Sequence, residues 1–320
     1  MTTRTPAIEI AGLHKSYGDH HVLDGLDLTV PEGTVCALLG PNGAGKTTTV
    51  NICSTLLEAD AGEVRVAGHD VRREADEVRR VIGLTGQFSA IDELLTGREN
   101  LRLMADLAHL DRRHIATAVE AMLERLGLAD AADRRAQTYS GGMKRRLDLA
   151  MTLITRPGLI FLDEPTTGLD PRSRRELWAI VRDLVAAGAS VLLTTQYLDE
   201  ADALADRIAV LDDGRLVAEG TPEELKRQVV GGHVQVQFTD AGALQTAAAD
   251  QPGSTVDLGT LSLRLPNEGL AALRRLLERL DDASVAGLTV ESADLDDVFL
   301  ALTGRPAEDT AHHDELETVR

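Results

Sequence analysis

A short glycine-rich segment has the composition and spacing of a site for the phosphates of a nucleotide. It fits the pattern G-x-x-x-x-G-K-[ST], in which glycines let backbone amides turn toward an anion and a lysine supplies one positive charge. A helix beginning near the second glycine would point the positive end of its dipole at the same place. The lysine would reach the β- and γ-phosphates, and the next hydroxyl would complete the ligands of a bound Mg²⁺. This segment, the phosphate segment, consists of Gly40, Pro41, Asn42, Gly43, Ala44, Gly45, Lys46, Thr47 and Thr48.

The alternative to a phosphate site is a glycine-rich turn that contains a lysine by chance. The sequence around the segment argues against this alternative. The apolar run Val35 to Leu39 precedes it and predicts a strand, and residues Thr49 to Leu57 predict a helix after it. A strand, a glycine-rich loop and a helix in this order are what phosphate binding requires.

Two acids follow a second apolar run. Residues Gly158 to Leu162 predict a strand buried on both faces, and Asp163 and Glu164 come directly after it. Open α/β sheets place their ligands at the carboxyl ends of such strands. Asp163 could therefore hold Mg²⁺, directly or through water, and Glu164 could orient or deprotonate an attacking water. The alternative is a solvated acidic turn, which the preceding strand and the phosphate segment disfavour.

A third segment, Tyr139-Ser140-Gly141-Gly142, opens the helix predicted from Met143 to Thr155. Ser140 is a candidate N-cap, and unpaired amides beside two glycines could bind an anion. Without other information, two glycines that merely start a helix are as good an explanation.

Composition limits the classes of function. The chain has 320 residues and a formal charge of −19, which disfavours a nucleic-acid binder and a protein held on anionic lipid by a basic face. Its two cysteines, Cys36 and Cys53, predict reduced, buried thiols rather than a metal site. The sequence has neither a signal peptide nor an apolar run of about 20 residues. We therefore expect a soluble protein without membrane insertion.

The order of predicted elements divides the chain. Alternating strands flank the phosphate segment, helical spacing from Thr96 to about Leu128 predicts an inserted helical subdomain, and strands alternate with helices up to residue 230. Among these later elements, residues Ser190 to Thr195 predict a buried strand, Asp213-Gly214 predicts a hairpin turn, and Thr221 predicts a helix cap. From residue 231 to 305 the order βαββαβα predicts a small α+β domain of ferredoxin-like type. Residues 306–320 are polar and without periodicity, and we expect an acidic, disordered tail.

Five separated motifs occur in the order of one known family. They are Tyr17, GPNGAGKTT, Gln87, YSGGM, and LIFLDEP with GLD behind it. Over residues 7 to 230 the chain resembles the ATP-binding subunit of an ABC transporter. TTQYLDEAD at 194 to 202 and LDDVFLALTG at 295 to 304 resemble the daunorubicin/doxorubicin-resistance ATPases. The resemblance implies an α/β P-loop cassette with a mixed sheet core, an antiparallel β subdomain and a helical subdomain.

The resemblance also implies roles for individual residues. ATP and Mg²⁺ would be the ligands, with Tyr17 stacked on adenine and Thr47, Gln87 and Asp163 near the metal. Gln87 would also report the state of the site to the membrane partner. In a head-to-tail homodimer with two ATP molecules between the subunits, the partner's phosphates would meet Ser140, Gly141 and Gly142. Asp170 would lie across the same interface.

Two positions depart from the family pattern. Met143 stands where glutamine is usual, which we expect to be tolerated because the backbone and Ser140 would bind the phosphate. Gln196 stands where most members have a histidine that contacts the γ-phosphate. An amide can donate a hydrogen bond but does not titrate near neutral pH. We hypothesise that Gln196 acts as a neutral donor, with Glu164 and Lys46 as the other catalytic residues.

The favoured function is ATP hydrolysis that drives a separate membrane permease, which would export a hydrophobic drug, with an anthracycline-like substrate implied by resemblance alone. The subunit would work at the cytoplasmic face of a bacterial cell membrane. The alternatives are a soluble ABC ATPase acting on DNA or ribosomes, and a nucleotide-gated regulator. The first would predict tandem cassettes, zinc cysteines or a long coiled coil, and the sequence has none of these.

Overall fold

The computed structural model describes residues 5–86, 90–228, 232–249, 251, 254–266, 270–280, 284–292 and 294–304. The chain divides into two compact units, Met1–Glu219 and Gly220–Arg320. This division falls before residue 230, where the sequence placed the boundary, because the helix after Gly220 packs within the second unit. The predicted tail from 306 to 320 lies outside the described residues.

The first unit combines ten strands and seven α-helices among its described residues, with short 3-10 turns at Ala129–Ala131 and Ala136–Thr138. The strands are β1 (Ile8–Tyr17), β2 (His20–Val30), β3 (Val35–Leu39), β4 (Ala61–Val66), β5 (His69–Asp70), β6 (Ile82–Thr85), β7 (Leu159–Asp163), β8 (Ser190–Thr195), β9 (Arg207–Asp212) and β10 (Arg215–Gly220). The helices are α1 (Lys46–Cys53), α2 (Ala75–Val81), α3 (Gly97–Leu107), α4 (Arg112–Arg125), α5 (Gly141–Leu153), α6 (Pro171–Ala186) and α7 (Leu198–Leu204).

The strands form two sheets, as a mixed core and an antiparallel subdomain require. The six-stranded sheet has the order β10-β9-β3-β8-β7-β6, and β9, β3, β8, β7 and β6 pair in parallel. The antiparallel sheet has the order β2-β1-β4-β5. Asp213 and Gly214, both with positive φ, make the predicted hairpin turn between β9 and β10.

Every residue of β3, β7 and β8 is buried, as the uninterrupted apolar runs predict. The parallel register sets Leu39 beside Thr195 and Asp163 beside Thr194. The residues that follow these strands therefore meet at one edge of the sheet. This edge holds the phosphate segment and the two acids.

The helical subdomain has the predicted place in the chain. A capping box at Thr96 and Glu99 starts α3, and α3 packs against α4 and α5. The buried residues of α4 recur at helical spacing, at Ile115, Val119 and Met122.

The second unit has the predicted element order after one further helix. Its described elements are α8 (Pro222–Gln228), β11 (Gly232–Phe238), α9 (Ala241–Ala249), β12 (Thr255–Asp257), β13 (Ser262–Pro266), α10 (Leu270–Leu277), β14 (Val285–Ser292) and α11 (Leu295–Thr303). The sheet order is β12-β13-β11-β14, with every pairing antiparallel. The ferredoxin-like assignment stays a prediction, which this strand order supports. Within this unit α8 packs against α11.

Candidate nucleotide site

Two glycines of the phosphate segment lie where no side chain fits. A Cβ on Gly40 would be 2.2 Å from the Leu211 carbonyl oxygen. Gly45 precedes α1 with φ 103°, and a Cβ there would be 2.6 Å from Leu23 Cδ2. The Gly40 amide donates to the Thr195 carbonyl at 3.2 Å, which ties the loop to the end of β8. The loop conformation therefore depends on both glycines.

Lys46 is the first residue of α1 and only 4% exposed. Its ammonium group donates to the carbonyls of Gly40 at 2.7 Å and Pro41 at 3.0 Å. The same nitrogen lies 3.7 Å from Glu164 Oε1. The lysine and the second acid, which are far apart in sequence, thus form an ion pair at the phosphate segment.

Asp163 is buried at the end of β7, where two hydroxyls converge on one carboxylate oxygen. Thr47 Oγ1 lies 3.1 Å from Asp163 Oδ1, and Thr194 Oγ1 donates to the same oxygen. A carboxylate beside a threonine hydroxyl is an oxygen donor set of the kind that Mg²⁺ prefers. The residues present therefore fit a magnesium ion.

Glu164 has a backbone conformation that few non-glycine residues adopt, with φ 46°. Its amide donates to both oxygens of Thr194, to the carbonyl at 3.1 Å and to Oγ1 at 3.0 Å. Its Oε2 accepts from Thr167 Oγ1 at 3.3 Å. Strained residues of this kind occur at functional sites where the surroundings hold them in place.

Gln196 follows the last residue of β8. Thr195 Oγ1 accepts from the Tyr197 amide at 2.9 Å, which turns the chain at this point. Gln196 Oε1 is buried and, among the residues that the structure describes, receives no hydrogen bond. Its carboxamide oxygen is thus a buried polar atom, on a half-buried residue at the sheet edge that carries the phosphate segment.

The second glycine-rich segment starts α5 as predicted. Ser140 Oγ accepts from the Met143 amide at 3.3 Å and caps the helix. Gly142 lies against α6, since a Cβ on it would be 2.4 Å from Ser173 Oγ. Asp170 caps α6 by accepting from the Arg172 and Ser173 amides, at 3.0 and 2.9 Å. A cleft of about 480 Å³ has both Gly141 and Glu164 in its lining.

The other predicted residues are Tyr17, Gln87 and the rest of the phosphate segment. Tyr17 ends β1 with 52% of its surface exposed, and Lys15 Nζ lies 5.6 Å from its ring centre. Gln87 lies outside the described residues. Asn42, Gly43, Ala44 and Thr48 belong to the loop and the start of α1, where the Ala44 amide donates to the Pro41 carbonyl at 3.2 Å.

Sequence reasoning missed several residues that contact the site. Thr194 binds both acids, and its one signal is a hydroxyl inside the apolar strand Ser190 to Thr195. Arg145 of α5 donates to the Asp163 carbonyl and is paired with Asp148, and Glu200 is fully buried on α7. Charged residues on helices ordinarily indicate a solvated face, so their spacing gave no signal.

Comparison with known proteins agrees with this geometry. The family model described as "ABC transporter" matches residues 23–167. The chain is 52% identical to daunorubicin resistance ATP-binding protein DrrA3 of Streptomyces coeruleorubidus, over 93% of this chain and 96% of that protein. It is 48% identical to daunorubicin/doxorubicin resistance ATP-binding protein DrrA of Streptomyces peucetius, over 99% and 98%. The chain belongs to the ABC transporter ATP-binding subunits.

A solved nucleotide-free cassette of an ABC transporter has the same fold as this ABC subunit. The TM-score is 0.64 at 28% identity, over 70% of this chain and 94% of that chain. The ABC subunit therefore binds and hydrolyses ATP, and subunits of this kind dimerise and work with a separate membrane permease. These relatives give no support to a soluble ATPase acting on DNA or ribosomes. In the part of the chain that the structure describes, no helix could span a bilayer.

Proposed function

We propose that this subunit hydrolyses ATP to drive export of a hydrophobic, anthracycline-like drug through a separate permease. The observation that carries the ATPase part is the cluster of Lys46, Thr47, Asp163 and Glu164 at the phosphate segment. The drug class rests on the names of the two Streptomyces relatives, both of which are drug-resistance proteins. The proposed place of work is the cytoplasmic face of a bacterial cell membrane.

In this proposal each group at the sheet edge has one task. The loop amides and Lys46 bind the β- and γ-phosphates, and Tyr17 stacks on the adenine. Thr47 and Asp163 would hold Mg²⁺ together with Gln87. When bound, the metal would supply charge that stabilises the phosphate oxygens. The buried position of Asp163, at 3% exposure, keeps its carboxylate away from bulk water.

Glu164 acts as the general base on the attacking water. Its carboxylate accepts a proton while the water oxygen bonds to the γ-phosphorus, and the bond from that phosphorus to the β-phosphate oxygen breaks. Gln196 donates a hydrogen bond to the γ-phosphate as a neutral group. If a Gln196→Ala variant keeps full permease-coupled ATPase activity, this role is wrong.

Two subunits complete each site head to tail. Ser140, Gly141 and Gly142 present the start of α5 to the γ-phosphate bound by the partner, and Asp170 lies at the same interface. The N-terminal amides and dipole of α5 favour this use, since α5 is a helix of 13 residues. Hydrolysis then releases the dimer and resets the permease.

The test uses the complex with its permease in lipid vesicles. Lys46→Ala is expected to lose Mg-ATP affinity, whereas Glu164→Gln keeps affinity and loses about a hundredfold or more in hydrolysis rate. Drug uptake into inverted vesicles reports transport, with Glu176→Gln on the surface of α6 as the control. Full ATP affinity in Lys46→Ala would contradict the nucleotide site. ATPase activity without anthracycline transport would contradict only the drug class.

A further inference from the structure

One arginine of α5 donates to three backbone carbonyls in two segments of the site. Arg145 Nε donates to the Pro165 carbonyl at 2.8 Å, and Nη2 donates to the Asp163 carbonyl at 3.2 Å. Nη1 donates to the Gly86 carbonyl at 3.0 Å. A planar guanidinium offers donors in fixed directions, so these three carbonyls are held in one geometry.

Asp148, one turn further along α5, extends this arrangement. Its Oδ2 lies 3.5 Å from Arg145 Nη1, and its Oδ1 accepts from the Ala90 amide at 3.2 Å. Gly86 and Ala90 are on either side of Gln87 in the sequence. The two side chains therefore hold the backbone before and after that residue from a single helical turn.

Arg145 is largely buried, and the groups around it are mostly acids. Burial lowers the pKa of its guanidinium, and the neighbouring carboxylates of Asp148, Glu200 and Asp163 oppose that change. Removal of a guanidinium from such a site leaves buried acids without a counter-charge. A lysine cannot replace it, because one ammonium group cannot reach three carbonyls in different directions.

The contacts explain how the conformation of Glu164 is maintained. Its own amide is held by Thr194, and the carbonyls of the residues on both sides, Asp163 and Pro165, are held by Arg145. A left-handed backbone at a non-glycine residue persists only where the surroundings determine it. The hydrogen bonds of Thr194 and Arg145 hold the backbone of Glu164 in this conformation.

We infer that Arg145 and Asp148 are positioning residues, which link the backbone on both sides of Gln87 to the backbone around the base Glu164. Neither side chain needs to touch ATP. The pair sets the position of Glu164. It also connects the backbone around Glu164 to the backbone on both sides of Gln87, the residue proposed to report to the permease. This inference rests on the proposed roles of Gln87 and Glu164.

The test compares turnover with ATP binding in the complex with permease. Arg145→Gln is expected to lower kcat at least about tenfold, since misplacement of a catalytic group by about 1 Å can cost about a hundredfold. The KM for ATP should stay within about twofold, because the phosphate segment is unchanged. Arg145→Lys should recover only a minor part of kcat.

Arg182→Gln is the control. Arg182 lies on α6 and donates to the Ala203 carbonyl at 2.8 Å, away from Asp163 and Pro165. We expect the kcat of this variant within about threefold of wild type. A fall in kcat that equals that of Arg145→Gln would contradict a specific positioning role.

A double variant separates positioning from stability. Arg145→Met with Asp148→Leu removes both charges, and apolar replacements of buried ion pairs often restore stability. Thermal stability should return toward wild type while kcat and permease stimulation stay low. Recovery of both together would overturn the inference. Lys46→Ala, assayed in parallel, reports separately on whether the nucleotide site is the one proposed.

Discussion

Thr194 joins the two acids of the site through one hydroxyl. It donates to Asp163 and accepts from the Glu164 amide, and it is fully buried in β8. Asp163 of β7 is also the residue with which Thr194 pairs in the sheet. Asp163 and the strained Glu164 beside it therefore share a single support, which the sequence motif of the acids does not contain.

The buried carboxyl of Glu200 makes the stability of the folded protein depend on pH. Burial raises the pKa of this carboxyl above its usual 4.5, and the nearby hydroxyls of Thr195 and Thr166 and the indole of Trp178 offset part of that rise. The folded protein thus binds the proton more tightly than the unfolded chain. Its stabilising contribution is complete below pH 4.5 and is lost as the pH rises through the raised value.

A Glu200→Gln variant cannot ionise and should escape this loss. Between pH 4.5 and the raised pKa, the stability of the variant relative to wild type should increase by about 1.4 kcal/mol for each pH unit. Urea unfolding of both proteins at a series of pH values measures this. Glu176→Gln, a half-buried change on α6, is the control for the loss of a carboxylate. Parallel curves for wild type and Glu200→Gln would show that Glu200 ionises normally.

At the scale of secondary-structure elements, the start of α5 packs against the start of α6. Gly142 allows the first turn of α5 to approach Ser173, whose hydroxyl also binds Asp170 at 2.7 Å. That hydrogen bond, together with those from the Ser173 and Arg172 amides, lowers the pKa of Asp170. Two helix starts are therefore joined inside one subunit before any partner binds.

We predict that Gly142→Ala destabilises the fold by about 1–2 kcal/mol. The added Cβ would meet Ser173 Oγ at 2.4 Å and Ser173 Cβ at 2.9 Å, an overpacking cost that exceeds the better helix propensity of alanine. Gly141→Ala is the control, because a Cβ there has nothing within 4 Å. Urea unfolding measures all variants.

A double variant identifies the contact. Ser173→Gly removes the atoms that the new methyl group would meet. In a double-mutant cycle Gly142→Ala and Ser173→Gly should therefore couple favourably. Strict additivity of the two changes, or equal losses for Gly141→Ala and Gly142→Ala, would refute the packing explanation.

At the scale of the whole molecule, charge acts on dimer formation. Each copy carries −19, so two subunits repel at low ionic strength. Raising the salt from about 0.01 M to about 0.1 M shortens the screening length from about 30 Å to about 10 Å. We therefore predict that the ATP-bound dimer of Glu164→Gln becomes tighter over this range, as measured by sedimentation velocity.

A variant with a less acidic tail provides the matched comparison. Changing Glu308, Asp309, Asp314, Glu315 and Glu317 to their amides removes five negative charges and leaves every residue proposed for the nucleotide site. Its dimer should depend less on salt than that of the Glu164→Gln parent. A dimer that weakens as salt increases would mean that local attraction at the interface outweighs the net charge.

The sequence by itself determined the phosphate segment, the buried strands β3, β7 and β8, and the helix caps at Ser140 and Thr221. These features follow from local rules, because glycines, apolar runs and capping residues act on their own stretch of chain. Local patterns also predicted the hairpin at Asp213-Gly214 and the element order of the second unit.

Only the tertiary structure decided which distant residues meet. Parallel pairing brings Thr194 to Asp163, and packing of α5 on the sheet brings Arg145 to the carbonyls of Gly86, Asp163 and Pro165. No periodicity marks such an arginine, since a charged helical residue has the same pattern whether water or a buried backbone receives its hydrogen bonds. The site is therefore supported by contacts between residues that are distant in sequence, whereas its phosphate-binding loop is formed by one short stretch of chain.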